Sequence, residues 1–149
     1  IQNKPRRSKA MTLPYTRQLT SDDYDQWLRL YQIYADFYHV NLSKHGLQTM
    51  WSWLIDFGHV CSGLVAEKQS QLVGLGHFRG MPSPLRGQMI GFLDDLFVLP
   101  DRRCGGAAAA LVKSAQTEAK AQGWGVMRWI ICDHNYWARG LYDKLAEKT

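Results

Sequence analysis

Residues 94–108 read Asp-Asp-Leu-Phe-Val-Leu-Pro-Asp-Arg-Arg-Cys-Gly-Gly-Ala-Ala, and here residue type and spacing point to chemistry. An apolar strand runs through a short turn into a helix that begins with glycine and alanine. The first N–H groups of any helix lack intrahelical acceptors and sit at the positive end of its dipole. They suit a phosphate or pyrophosphate, provided that no large side chain holds the anion away. Arg102 and Arg103 add positive charge at the entrance. A P-loop would need Gly-Lys-Ser/Thr at the helix start. A dinucleotide fingerprint would need Gly-x-Gly-x-x-Gly and a ribose-binding acid further on. This segment has neither. On physics alone, a glycine cap without a ligand stays open.

Downstream, Asn135, Ala138 and Tyr142 recur at steps of three and four and so share one helix face. That sets an amide and a phenol beside a residue small enough for a ligand to approach. Arg102-x-x-Gly105-x-Ala107 resembles the Arg/Gln-x-x-Gly-x-Gly/Ala signature of the GNAT superfamily of N-acetyltransferases, placed as there between the fourth strand and the third helix. Asn135-x-x-Ala138-x-x-Leu141-Tyr142 resembles the second motif of that superfamily. Residues 93–98 and 138–144 look most like the Hpa2-like branch, which contains the diamine and polyamine acetyltransferases.

The resemblance implies transfer of an acetyl group from acetyl-CoA to a primary amine, by direct attack in a ternary complex and without a metal. The amine would belong to a small polyamine, a diamine, an amino acid or a lysine side chain. Backbone groups of Phe97 and Val98 would hold the pantetheine arm. The pyrophosphate would fall to Arg102, Arg103, Cys104, Gly105, Gly106, Ala107 and Ala108. Tyr142 would protonate the departing thiolate, and Asn135 would touch the cofactor, a role compatible with capping its helix. A coenzyme A-binding or interaction module without turnover is the alternative.

On the acceptor side, Asp94 resembles the acid that the polyamine branch carries on this strand. It would act as base through a water, because an aspartate near about pKa 3.9 is poorly matched to an ammonium. Strand alternation predicts that Asp94 and Asp95 face opposite sides. A strand-end acid meeting an arginine or solvent is the plainer reading of Asp94. Tyr31, Asp36 and Tyr38 are the acceptor-wall candidates, since aromatics with an acid suit a cationic amine. Tyr31, Tyr34 and Tyr38 also fit a core stripe. The histidines 39, 45, 59, 77 and 134 do not cluster along the chain, and no metal site is expected. Cys104, between arginines and a helix start, reads as an oxidation site and no more.

The elements that position these residues follow from periodicity. Tyr15 to Leu19 reads as a strand, and Thr20 to Asp23 supply a cap and acids for a first helix through Tyr38. A second helix is predicted from Leu47 to about Phe57. Strands are predicted at Cys61–Glu67, Leu72–Phe78 and Met89–Val98, with Met81-Pro82-Ser83-Pro84 as a break. A long helix follows to Gln122, then a strand at Val126–Cys132 and a last helix at Tyr136–Ala146. The order β-α-α-β-β-β-α-β-α defines a mixed α/β domain. It predicts a twisted, mostly antiparallel sheet, one β-α-β crossover and helices on both faces.

The 149 residues suit one domain, 46% hydrophobic and 21% charged. No apolar run is long enough to span a bilayer, and the odd cysteines 61, 104 and 132 favour a reducing cytoplasm. Of the net charge of +5, Lys4, Arg6, Arg7 and Lys9 supply four, so nucleic-acid binding is not favoured. Residues 1–10 read as a flexible leader or expression remnant, and 11–149 as the domain. The family ordinarily continues past its second motif with further strands, so a homodimer through the edge of Val126–Cys132 or the last helix is expected.

Overall fold

The computed structural model describes residues 14–103 and 105–129. β1 (Tyr15–Gln18) leads through a 3-10 turn at Ser21–Asp23 into α1 (Tyr24–Phe37). Asp23 ties this corner down: its carboxylate accepts the Thr20 N–H at 2.8 Å and the Arg17 guanidinium at 2.7 and 2.8 Å. Then come α2 (Lys44–Ile55), β2 (Cys61–Lys68), β3 (Gln71–Ser83) and β4 (Gln88–Val98). A second 3-10 turn at Pro100–Arg102 precedes α3 (Ala107–Ala121) and β5 (Met127–Trp129).

Two boundaries differ most from the sequence reading. α2 begins at Lys44 rather than Leu47, because Ser43 caps it by accepting the Gly46 N–H at 2.9 Å. β3 runs through Pro82 to Ser83, where a break was expected. β2 has ended by then, at the pair Cys61–Arg79, and a strand with a neighbour on one side only tolerates proline. Residues 1–10, Cys104, Asn135, Tyr142 and the helix expected at Tyr136–Ala146 lie outside the described residues, as does the strand beyond Trp129.

The strands lie in the order β1-β2-β3-β4-β5, antiparallel except for β5, which runs parallel to β4. A parallel neighbour requires a crossover, and α3 provides it. Helices cover both faces. Trp27 and Leu30 of α1 and Leu54 of α2 pack on Val65, Leu75 and Phe97. Leu111 of α3 packs on Val73 and Val98 on the other face, and Val112 packs on Phe78 and Leu93. Each such buried side chain contributes on the order of 1.5–3 kcal/mol. Among the described residues, no helix is long and apolar enough to cross a membrane.

One irregularity decides what the site contains. His77 on β3 opposes Asp95 on β4, while the next residue, Phe78, opposes Leu93. Asp94 is thus the extra residue of a β-bulge. Asp94 meets Arg79 and Asp95 meets His77, and these partners stand two places apart on β3. Residues two apart share a face. The expectation of opposite sides is therefore corrected: the bulge turns both aspartates toward α1 and α2.

Candidate active site

Asp95 is the centre of a buried polar cluster. Its Oδ2 lies 2.8 Å from His77 Nδ1 and accepts the Tyr31 hydroxyl at 3.2 Å, and its Oδ1 accepts the Tyr34 hydroxyl at 2.9 Å. Trp27 Nε1 donates to His77 Nε2 at 3.0 Å. Indole nitrogen is donor only, so His77 Nε2 must be bare and Nδ1 carries the proton given to Asp95. Burial alone would push the Asp95 carboxyl up. The hydrogen bond from His77, then those from Tyr34 and Tyr31, outweigh burial and hold it below its ordinary range. Both phenols are pushed well up, first by burial and then by the Asp95 charge, so they remain donors at neutral pH.

The sequence places these residues through two periods. Tyr24, Trp27, Tyr31 and Tyr34 form one stripe of α1, continued by Tyr38 at its C-cap, while Leu75 and His77 alternate inward on β3. Tyr31 and Tyr34 stack at 5.7 Å, Tyr34 meets Tyr38 at 4.9 Å, and Phe97 stands edge-on to Tyr34 at 5.7 Å. Of the acceptor-wall candidates, Tyr31 and Tyr38 thus join one aromatic wall. Asp36 is exposed and lies off the stripe.

Asp94 is separate from this cluster. Both its oxygens meet Arg79 Nε, at 2.9 and 3.2 Å, and the pair is exposed. The plainer reading of Asp94, an acid meeting an arginine, matches this contact, yet the bulge also sets it at the acceptor face. Neighbouring Cys61 stays a thiol, its pKa raised by burial and then by the Asp94 charge.

The phosphate-loop candidates lie where β4 passes into α3. Phe97 and Val98 are buried on opposite faces of β4, which leaves their backbone edge as the part able to meet a ligand. Gly106 is the N-cap of α3, with φ +87°, a left-handed conformation that favours glycine, and it offers no side-chain acceptor. The first helical bond runs from the Ala110 N–H to the Gly106 carbonyl at 3.0 Å. The N–H groups of Ala107, Ala108 and Ala109 therefore precede the helical ladder and face the turn. Ala107 and Ala108 bury their methyl groups in the α3 core, so nothing bulky covers those donors. Gly105 is exposed, and a Cβ there would lie 3.3 Å from the Arg102 carbonyl oxygen. The Arg103 guanidinium sits 5.5 Å over the Phe37 ring, tying the loop to the end of α1. This set fits the pyrophosphate of a coenzyme A: bare donors, a dipole end and cationic neighbours.

His77, Asp95, Trp27 and Arg79 were not singled out by sequence reasoning as site residues. The usable signal was the inward alternation that places a histidine after Leu75 on β3.

One strand thus carries an acid at its bulge and leads into a bare helix start. Residues 27–146 match the model of the acetyltransferase (GNAT) family, and the chain belongs to that family. Its class of chemistry is N-acetyl transfer. The chain is 27% identical over 128 residues to the uncharacterized N-acetyltransferase YhfO of Bacillus subtilis, covering 86% of this chain and 85% of that one. It is 22% identical over 129 residues to the D-amino-acid N-acetyltransferase HPA3 of Saccharomyces cerevisiae, covering 85% and 80%. The fold is shared with AAC(6')-Iy, solved with the bisubstrate analog CoA-S-monomethyl-acetylneamine. That likeness has a TM-score of 0.79 and 17% identity, over 91% of each chain.

Proposed function

We propose that the chain transfers the acetyl group of acetyl-CoA to a primary amine of a small polyamine, diamine, amino acid or lysine side chain, in a ternary complex. The observation that carries this reading is one strand–turn–helix segment with an exposed carboxylate at its bulge and an uncapped helix start at its end. The neighbour of the same fold, AAC(6')-Iy, has also been solved with CoA, which supports the choice of cosubstrate. The branch of diamine and polyamine enzymes remains the sequence-based expectation within this reading.

When bound, acetyl-CoA supplies an acetyl group activated as a thioester. The first turn of α3, with Arg102 and Arg103, takes its pyrophosphate. The β4 edge at Phe97 and Val98 takes the pantetheine arm. Asp94 accepts the proton of the incoming ammonium through a water. The nitrogen–carbon bond forms as the carbon–sulfur bond breaks, and Tyr142 gives the sulfur its proton. Asp95 has a different part: its charge is satisfied by His77, Tyr31 and Tyr34, so it positions the wall and the bulge.

The grip of Arg79 on Asp94 is the observation that favours the alternative, a coenzyme A-binding module without turnover. Thiol release from acetyl-CoA with a panel of amines separates the two. Release above the amine-free rate supports transfer, and binding of coenzyme A without release supports the module. A homodimer through residues 126–132 or the last helix belongs to the same reading. Light scattering at micromolar concentration checks it, and a monomer removes it.

A further inference from the structure

Arg79 uses only part of its hydrogen-bonding capacity. It meets Asp94 through Nε, while its terminal nitrogens have no acceptor among the described residues. Those nitrogens form the end-on fork that matches a carboxylate with two parallel hydrogen bonds. The fork is also held in place, because the guanidinium carbon lies 5.1 Å from the centroid of the Phe92 ring. Arg79 and Asp94 expose 37% and 34% of their side chains, so both charges can meet a ligand. The buried cluster beside them is already satisfied: Asp95 has its own donors and offers no rival anion to Arg79.

We infer, resting on the acetyltransferase reading, that the acceptor is an amine bearing an adjacent carboxylate, as an α-amino acid does. Asp94 takes the ammonium and the terminal nitrogens of Arg79 take the carboxylate. An α-amino acid carries its two charges on either side of one carbon, and it therefore needs an acid and a base standing next to each other. Asp94 and Arg79 stand so, at 2.9 Å. A diamine brings a second cation, which Arg79 repels. A lysine side chain within a peptide brings no second charge for the fork. The reaction is the one above: the ammonium loses its proton toward Asp94, and the nitrogen takes the acetyl carbon as the thiol leaves. The carboxylate is held throughout and does not react.

The test compares leucine, in both enantiomers, with leucinamide and with isoamylamine, the amine left when leucine loses its carboxylate. Thiol release from acetyl-CoA gives kcat/KM for each. At least one enantiomer of leucine should exceed both carboxylate-free amines by roughly tenfold or more, the scale expected when a site built for a polar group meets an analogue lacking it. Arg79→Gln should bring the ratio near one, chiefly by raising KM for leucine, and Arg79→Lys should restore part of it. Isoamylamine or leucinamide used as well as leucine by the wild type overturns the inference, as does an Arg79→Gln enzyme that keeps the preference. Circular dichroism confirms that each variant is folded. If no amine supports thiol release, the acetyltransferase reading fails instead. Calorimetry with coenzyme A present then decides the site on its own: leucine binding that Arg79→Gln abolishes upholds it, and no binding to the wild type overturns it.

Discussion

His77 and Asp95 meet at 2.8 Å across neighbouring strands, and Trp27 fixes the far nitrogen of the same imidazole at 3.0 Å. The histidine is therefore held in one tautomer, giving its proton to Asp95. Asp95→Asn keeps the volume but replaces an acceptor of several donors with a group that is half donor. We expect a loss of about 2–4 kcal/mol, the scale for leaving buried donors unpaired around a charged acceptor. Chemical denaturation measures it, and a loss below about 0.5 kcal/mol would contradict the role given to Asp95.

The same carboxylate makes stability depend on acid. Asp95 and Asp23 both titrate below the reference value of 3.8, Asp23 chiefly through its hydrogen bonds from Arg17. A depressed folded pKa means that the unfolded chain binds more protons at low pH, so stability rises with pH there. The contribution is complete somewhat above 3.8 and is lost as pH falls through the lower folded values. Asp23→Asn should be less stable near neutrality and show a shallower acid limb than the wild type. Parallel limbs in the two proteins would refute the assignment.

Gly106 sets the start of α3 by its left-handed backbone. Gly106→Val should lose most of the thermal stabilisation that acetyl-CoA gives the wild type, because the strained turn misplaces the first-turn N–H groups. The helical signal in circular dichroism should stay near native. An unchanged acetyl-CoA shift would move the phosphate site elsewhere.

Much of this was legible in the sequence. The aromatic stripe of α1, the strand signals and the passage from β4 into the glycine-alanine helix are local patterns, and each described element formed near its expected place. The bulge was not legible, because it arises from how β4 registers against β3 and not from any residue of Asp94-Asp95 alone. For the same reason the site around Asp95 was hidden. Trp27, His77 and Asp95 lie far apart in the chain, and only strand pairing and helix packing bring them together. Arg79 carried no motif, and it gained meaning only when the bulge set Asp94 beside it.

Asp94 and Tyr142 carry the proposed proton transfers. Asp94→Asn and Tyr142→Phe should each lower kcat by roughly 10²-fold or more, the usual scale for a positioned acid or base. The affinity for acetyl-CoA should hardly change in either. Steady-state kinetics at saturating amine measure the effect, and a variant with the wild-type kcat across the pH range leaves the mechanism.

The central claim is acetyl transfer from coenzyme A to nitrogen. Its most direct measurement incubates the chain with acetyl-CoA and a primary amine, following free thiol and identifying the product by mass spectrometry. The account predicts stoichiometric thiol and amine carrying one acetyl group, both absent without protein. Bound acetyl-CoA that stays intact in the presence of every amine class, amino acids included, would contradict it.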